Sequence, residues 1–246
     1  DAARKVLHVE PGITLRSLAA TGTEDKIHRL FAQAKASELA QQHGWWQPRQ
    51  FENPANPAYH RQTTGPEILQ DFAARRLDYW ITGWGTGGTM TGAGEVLKAA
   101  RPDVRIIATE PAGASLLGGQ EWKPHKIQGW TPDFVPAVLN PAVYDELVTV
   151  TDEEAKDTAL RLAREEGIFT GLSAGGTLAA ALKVAARAEP GSVLLTMLPD
   201  TGERYLSTPL YAHLCVSVHG IDASVEGDVD VLGGRLHFGL RLVANG

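Results

Sequence analysis

The sequence predicts an α/β fold built on a mostly parallel sheet with helices on both faces. From residue 77 onward, strand-like and helix-like segments alternate, which is typical of a parallel sheet covered by helices. Two glycine-rich stretches follow strand-like runs, at the edge where such sheets bind ligands. The 246 residues, 43% of them hydrophobic and 21% charged, are enough for one large domain or two small ones with a substantial core.

The first part of the chain has a weaker pattern. Residues 5–10 fit a strand and residues 13–19 a short helix. Over residues 24–43, apolar side chains recur at helical spacing, which predicts an amphipathic helix. Thr23 is the expected N-cap of that helix, and Gly44 is its expected end.

Residues 45–58 contain three prolines among polar residues. Proline opposes regular structure, and Asn-Pro favours turns, so this stretch is predicted to be a linker or a rigid loop that presents side chains. A helix over residues 66–72, begun by Thr64, follows it.

The alternating part of the chain supplies the predicted sheet. The strands are expected at 77–82, 104–109, 146–150 and 193–198, and the helices at 91–100, 152–166 and 177–188, with an irregular region over 111–145, a brief extended run at 168–170 and a glycine turn at 171–176. After residue 214 the pattern changes to short strand-like runs at 216–218 and 229–231. Gly233 and Gly234 could form a hairpin turn before the alternating residues 236–242, and a poorly ordered tail is the alternative.

The stretch from Thr82 to Gly92 is the strongest candidate for a binding site. It holds five glycines between a strand-like run and a helix-like run. A glycine loop at a helix start directs main-chain N–H groups and the positive end of the helix dipole at one point. An anion, usually a phosphate, is the expected ligand, and a tight turn without a ligand is the alternative.

Two cofactor interpretations of this loop remain open on the residues alone. Gly83, Gly85 and Gly88 match G-x-G-x-x-G, and Glu110 ends the next strand-like run, near the position of a ribose-binding acid in a nicotinamide dinucleotide (NAD) fold. The second interpretation is a pyridoxal-phosphate cup, in which residues 85–89 surround the phosphate with amides and threonine hydroxyls. The sequence disfavours a P-loop, because no Gly-Lys-Ser/Thr follows the glycines.

Composition narrows the function classes. A formal net charge of -6 and a pI near 5.8 give no electrostatic reason to expect nucleic acid as a partner. Cys215 is the only cysteine, which rules out a disulfide framework and a cysteine-based zinc cluster. The scattered histidines show no metal-ligand spacing. No apolar run reaches the ~20 residues of a membrane span, and the N-terminus lacks a signal-peptide core, so a cytoplasmic enzyme with no membrane partner is expected.

Five stretches, taken in order, resemble one family. They are Gln-Phe-Glu-Asn-Pro-Ala-Asn-Pro at 50–57 with Thr-Thr-Gly-Pro-Glu at 63–67, Gly-Thr-Gly-Gly-Thr at 85–89, Pro-His-Lys-Ile-Gln-Gly at 124–129, Gly-Leu-Ser-Ala-Gly at 171–175, and Leu-Pro-Asp-Thr-Gly-Glu-Arg-Tyr at 198–205. Together they resemble cysteine synthase (O-acetylserine sulfhydrylase), a pyridoxal-phosphate enzyme of the tryptophan-synthase-β fold (fold type II), to which cystathionine β-synthase is a near relative. The resemblance runs from about residue 26 to about residue 213.

The resemblance implies a transferase or lyase of cysteine biosynthesis. The expected reaction is β-replacement of O-acetylserine with sulfide to give L-cysteine and acetate. The resemblance also implies pyridoxal 5'-phosphate as the cofactor, a small-molecule amino-acid substrate and a homodimeric assembly. It also implies three parts: a remnant of the small substrate domain at 1–57, the large cofactor domain at 58–213, and an unmatched tail at 214–246.

The resemblance also assigns roles to individual residues. Gly85, Thr86, Gly87, Gly88 and Thr89 would hold the cofactor phosphate. Ser173 would face the pyridine nitrogen, where a neutral hydroxyl suits loss of a β leaving group; the alternative role of Ser173 is to cap a helix over 174–183. Gln50 would bind the substrate carboxylate, or it is a polar linker residue. His125, Lys126, Glu203, Arg204 and Tyr205 are either pocket residues or structural ones.

The resembled enzymes carry two signatures that have no counterpart here, a Ser/Asn-rich segment before the cofactor lysine and a Thr-Ser-Gly-Asn-type loop for the substrate carboxylate. They link the cofactor to a lysine near the N-terminus, and this sequence is expected to enter the family pattern partway through the small domain. The lysines, none of which stands in a matching context, are Lys5, Lys26, Lys35, Lys98, Lys123, Lys126, Lys156 and Lys183. The catalytic lysine is therefore unassigned. A cystathionine β-synthase-like enzyme, a non-catalytic phosphate-binding or cofactor-binding module and a nicotinamide oxidoreductase remain as alternatives.

Overall fold

A computed structural model describes residues 34–211 and two further strands at 229–232 and 235–238. A helix over 34–43 is followed by α1 (Ala55–Gln62), α2 (Thr64–Asp71), β1 (Tyr79–Gly83), α3 (Gly88–Ala100), β2 (Arg105–Pro111), β3 (Glu146–Val150), α4 (Asp152–Glu165), α5 (Leu172–Ala185), β4 (Leu194–Thr196), a 3-10 turn (Gly202–Tyr205), β5 (Val229–Leu232) and β6 (Arg235–Phe238). The strands predicted at 5–10 and 216–218, the helix at 13–19 and the Thr23 cap lie outside the described residues.

Strands β1 to β4 form one parallel sheet in the order β3-β2-β1-β4. In the register, Tyr79 lies opposite Arg105 on one side and opposite Leu194 on the other. All four strands were predicted from the sequence, and β3 has the predicted bounds. The parallel α/β architecture is therefore confirmed.

Each face of this sheet carries its own hydrophobic core. Trp80 and Ile106 pack on one face with residues of α3, such as Leu97. Their neighbours Ile81 and Ile107 point to the opposite face, where they pack against α5. This alternation follows from the two-residue period of a strand, because successive side chains point to opposite faces. Helices therefore cover both faces of the sheet, as predicted.

The predicted loop over 45–58 is partly wrong, because α1 begins inside it. The Asn53 side-chain oxygen accepts the Ala55 N–H at 3.0 Å, which satisfies one donor of the new helix. Pro57 is the third residue of α1, where no intrahelical N–H is required of it. The prolines therefore predicted the loop correctly only up to residue 54. After it, Pro57 lies in the first turn of a helix, where proline is tolerated.

The second predicted glycine turn, 171–176, is also wrong, because residues 172–176 form the start of α5. The cap is Gly171, in an extended conformation, so Ser173 lies inside the helix and is not its N-cap. A Cβ on Gly175 would lie 2.1 Å from the Ala155 carbonyl oxygen, and one on Gly176 would lie 2.8 Å from the Trp130 ring. These glycines thus allow close packing of α5 against its neighbours.

Other helix boundaries follow the sequence signals. Gly44 has φ +66 and follows the helix over 34–43, which confirms the predicted end. Helix α4 begins with a capping box, in which the Thr151 hydroxyl accepts the Glu154 N–H and the Glu154 carboxylate accepts the Thr151 N–H.

The chain outside the main sheet adds one feature. Strands β5 and β6 pair antiparallel, with Val229 opposite Phe238, in agreement with the predicted hairpin around residues 233–234.

Within the described ranges, no helix combines the length and the apolar character that crossing a membrane requires.

Candidate functional site

A cavity of about 550 Å³ lies at the carboxyl ends of the strands, within the range of about 300–1,000 Å³ usual for ligand pockets. The glycine loop supplies Gly83, Gly85 and Thr89 to its wall, and α5 supplies Ser173. Its remaining walls come from Thr82, from α1 and α2, from residues 128–130 and from Met197, Pro199, Asp200 and Tyr205. The structure therefore brings two separately predicted motifs, the glycine loop and the Gly-Leu-Ser-Ala-Gly stretch, to one cavity.

The glycine loop is shaped by close contacts that exclude side chains. A Cβ on Gly85 would lie 2.2 Å from the Gly129 carbonyl oxygen, and one on Gly88 would lie 1.9 Å from Asn56 Oδ1. Gly87 has φ +82, a left-handed conformation that favours glycine. Helix α3 starts at Gly88, earlier than the predicted residue 91, so the N-terminal end of the helix lies within the loop itself.

The five predicted phosphate-loop residues divide into two groups. Gly85 and Thr89 line the cavity, whereas Thr86, Gly87 and Gly88 are not part of its wall. The Thr86 hydroxyl accepts hydrogen bonds from Asn56 Nδ2 at 2.9 Å and from the Gly88 N–H at 3.2 Å. Thr86 thus holds the loop against α1 rather than offering its hydroxyl to the cavity.

A histidine that the sequence analysis did not single out connects the loop to α2. One ring nitrogen of His60, Nε2, lies 3.1 Å from Thr89 Oγ1, and the other, Nδ1, lies 2.8 Å from Thr64 Oγ1. Burial lowers the pKa of His60 below its ordinary value, so the ring is neutral near pH 7 and each nitrogen has one role, donor or acceptor. The four-residue spacing of His60 and Thr64, beside the Asn-Pro segment, was the available sequence signal.

Ser173 stands at another wall of the cavity. Its side chain is 4% exposed, and within residues 34–211 no hydrogen bond of its hydroxyl is found, so the group is available to a ligand. Asp200 and Tyr205, also missed as a pair, line the same cavity, and the Tyr205 hydroxyl donates to Asp200 Oδ2 at 2.6 Å. Desolvation, reinforced by this hydrogen bond to the carboxylate, raises the pKa of Tyr205 to about 12.

Three other predicted candidates lie outside the cavity wall. The Gln50 side chain is exposed, and the Gln50 carbonyl oxygen accepts from Asn56 Nδ2 at 2.9 Å; the predicted carboxylate-binding role of Gln50 stays a prediction. Glu203 and Arg204 are exposed, and neither side chain lines the cavity.

His125 and Lys126 line a neighbouring cavity of about 430 Å³. Gln128 and Tyr205 belong to both cavities, so they form the partition between them. No lysine among residues 34–211 lines the larger cavity. Lys98, for example, pairs with Asp145 at 2.6 Å on the surface.

Glu110 does not occupy a ribose-binding position. Its carboxylate is fully buried and does not line the cavity. It accepts hydrogen bonds from Trp84 Nε1 at 3.2 Å, Ser115 Oγ at 2.7 Å and the Leu117 N–H at 3.0 Å. This arrangement removes the feature on which the nicotinamide interpretation depended.

The cavity fits the phosphate and ring of pyridoxal phosphate. Gly85 presents bare backbone where a Cβ could not be placed, Thr89 adds a hydroxyl, and the first turn of α3 adds a positive dipole end. Ser173 adds a hydroxyl, without a hydrogen-bond partner among residues 34–211, that can meet the ring nitrogen of a pyridine. The chemistry of these groups matches an anionic headgroup and a nitrogen heterocycle in a single ligand.

The family assignment agrees with this geometry. The family model described as "Pyridoxal-phosphate dependent enzyme" matches residues 14–200. The chain belongs to this family. Pyridoxal phosphate is therefore the cofactor of its family, as the sequence resemblance implied.

Individual members of the pyridoxal-phosphate dependent enzyme family resemble the chain closely. O-ureido-L-serine synthase of Streptomyces lavendulae is 59% identical over 176 residues, which are 72% of this chain and 54% of that protein. Cysteine synthase of Staphylococcus aureus is 47% identical over 178 residues, 72% of this chain and 57% of that protein. The chain thus spans about half the length of the curated relatives it matches.

A solved structure confirms the fold class. O-acetylserine sulfhydrylase isoform 3 from Entamoeba histolytica superposes with a TM-score of 0.70 at 38% identity. The match covers 74% of this chain and 54% of that one. The predicted resemblance to the cysteine synthases and to their fold is therefore confirmed.

Proposed function

We propose that the protein containing this chain catalyses β-replacement on an O-substituted L-serine with pyridoxal phosphate as cofactor. The observation that carries the proposal is the meeting, in one cavity, of the glycine loop and the free Ser173 hydroxyl. The names of the relatives support it, because O-acetylserine sulfhydrylase names an O-substituted serine as the compound acted on, and O-ureido-L-serine synthase names one as the compound made. When bound, the cofactor supplies an electron sink for loss of the α-proton and the β leaving group.

The residues of the chain would divide the work as follows. The Gly85 backbone and the Thr89 hydroxyl, both at the cavity wall, would bind the phosphate at the start of α3, and neutral His60 would orient that hydroxyl. Ser173 Oγ hydrogen-bonds the ring nitrogen without carrying a charge. A neutral partner makes the ring a milder electron sink than a carboxylate would, which suits release of a good leaving group such as acetate.

Two nucleophiles are candidates. Sulfide would give L-cysteine, the cysteine-synthase reaction that the sequence resemblance implied. The higher identity to O-ureido-L-serine synthase, 59% against 47%, favours a second candidate, in which the hydroxyl oxygen of hydroxyurea replaces acetate at the β-carbon of O-acetyl-L-serine to give O-ureido-L-serine. Homocysteine, the nucleophile of a cystathionine β-synthase-like enzyme, is included as a third nucleophile in the assay described next.

A product assay discriminates among these reactions. The purified protein is incubated with pyridoxal phosphate and O-acetyl-L-serine, and with sulfide, hydroxyurea or homocysteine in parallel, and the products are identified by mass spectrometry. The nucleophile with the highest kcat/KM identifies the reaction. Binding of the cofactor without any product would instead support the non-catalytic module, which is favoured by the lack of a cavity lysine among residues 34–211. Failure to bind the cofactor would refute the proposal.

The remaining expectations are part of the same proposal. We propose a small substrate-domain segment up to residue 57 and a cofactor domain over 58–213, with a homodimer as the assembly and the cytoplasm as the compartment. The acidic pI near 5.8 and the ordinary hydrophobic content are consistent with that compartment. Size-exclusion chromatography with light scattering measures the assembly directly.

A further inference from the structure

Glu110 is a fully buried carboxylate without a described cationic partner, placed behind the glycine loop. Burying a charged group is costly unless hydrogen bonds replace the lost water. Three donors do so here: the Trp84 indole, the Ser115 hydroxyl and the Leu117 amide. Ser115 and Leu117 belong to the turn that follows β2, whereas Trp84 belongs to the glycine loop. The carboxylate therefore joins the loop to the turn.

Trp84 is the residue of the glycine loop that is hydrogen-bonded to Glu110. It is 2% exposed and stands between Gly83 and Gly85, both of which line the cavity. The Trp84 carbonyl oxygen also accepts the Thr131 N–H at 2.9 Å. Trp84 is thus held by its side chain at Glu110 and by its main chain at Thr131, so the position of Gly85 follows from these two attachments.

The acceptor, rather than the charge, is the feature that the geometry requires. Oε1 of Glu110 accepts from both Trp84 and Leu117, and Oε2 accepts from the Ser115 hydroxyl. A glutamine could keep its oxygen toward Trp84 and Leu117 while its amide donates to Ser115 Oγ, since a hydroxyl can also accept. A methionine fills a similar volume but would leave the buried indole and amide N–H groups unpaired.

We propose that Glu110 is a positioning residue that holds the cofactor-phosphate loop in place through its hydrogen bond to Trp84. The proposal rests on the proposed function for the identity of the ligand, but the effect on the loop does not require that ligand. It assigns to Glu110 a role on the far side of the loop from the cavity. A carboxylate that only stabilised the turn over 115–117 would have no specific effect on residues 83–89.

Hydrogen exchange measured by mass spectrometry tests the loop directly. Glu110→Met and Trp84→Phe are each expected to speed amide exchange in residues 83–89 by about tenfold, the effect of losing one buried hydrogen bond. Glu110→Gln and Ser115→Ala serve as controls and are expected to stay within about threefold of wild type in that segment. The Trp84→Phe variant retains the carboxylate and carries the test if Glu110→Met does not fold.

Cofactor titration gives the second readout. Glu110→Met and Trp84→Phe are expected to weaken pyridoxal-phosphate binding by about tenfold each, and the double variant by no more than about tenfold in total, because both remove the same contact. Unchanged loop exchange in Trp84→Phe, equal damage from Glu110→Gln and Glu110→Met, or fully additive effects in the double variant would each overturn the proposal. If the wild type bound no cofactor, the proposed function would fail, and the exchange result alone would decide the role of Glu110.

Discussion

Replacement of Gly85 by alanine tests the close approach of the glycine loop to the backbone at Gly129. The new Cβ would lie 2.2 Å from the Gly129 carbonyl oxygen, whereas ordinary contacts begin at 3.4 Å. The loop or the segment at 129 must therefore move by about 1.2 Å. Because the obstructing atom belongs to the backbone, a change of side-chain rotamer cannot relieve the clash. Overpacking of this kind costs about 1–3 kcal/mol.

Gly113 provides a matched control, because it is exposed and a Cβ placed there would meet nothing within 4 Å. We expect Gly85→Ala to lower the free energy of unfolding in urea by about 1–3 kcal/mol and to weaken pyridoxal-phosphate binding by about tenfold or more, because Gly85 lines the cavity. Gly113→Ala should change stability by no more than about 1 kcal/mol and leave the affinity unchanged. Equal stability and equal affinity of the two variants would refute the described loop geometry.

Three further predictions follow from single contacts. Ser173→Ala should alter the free energy of unfolding by less than about 0.5 kcal/mol, since its hydroxyl has no partner within residues 34–211, while shifting the absorption spectrum of bound cofactor; an unchanged spectrum would remove Ser173 from the ring. Thr151→Ala should cost about 1 kcal/mol in thermal or urea unfolding through loss of the capping box with Glu154, and a neutral result would contradict that cap. Because the pKa of Tyr205 is raised to about 12, its stabilising effect is complete below the ordinary value near 10 and is lost as pH rises toward 12; Tyr205→Phe should therefore flatten the stability curve between these pH values, and an identical decline in both proteins would refute the shift.

Local periodicity was sufficient to predict the sheet. The four parallel strands are short apolar runs followed by polar or glycine-rich residues, so their existence needed no tertiary information. The register of β1 against β4 did need it, because those strands lie more than a hundred residues apart in the sequence.

Glycine was the main source of error along the chain. Gly175 and Gly176 were interpreted as turn residues, although they occupy the first turns of α5 and make room for Ala155 and Trp130. A sequence does not distinguish a glycine required for a left-handed turn from one required for close helix packing, because the difference lies in a distant partner. The same limit applies to Gly88, which both begins α3 and contacts Asn56.

The site was predicted in part for a similar reason. Gly85, Thr89 and Ser173 carry strong local signals, and the structure places all three at the cavity. His60 carries only a weak signal, its four-residue spacing from Thr64, since its importance comes from hydroxyls on two other segments. Glu110 had a weak signal that indicated a different function, a ribose contact, because spacing alone does not show on which side of a loop a carboxylate lies.

The strand order has a consequence for synthesis on the ribosome. Strand β1 can pair with β2 once both have emerged, but its other edge pairs with β4, which begins at Leu194 and is synthesised much later. Open edges of β-strands invite association with other chains, and such long-range pairing forms slowly. A nascent chain that stalls before residue 194 would therefore expose the unpaired edge of β1 at the centre of its sheet. A chaperone would be most needed between the synthesis of β2 and that of β4.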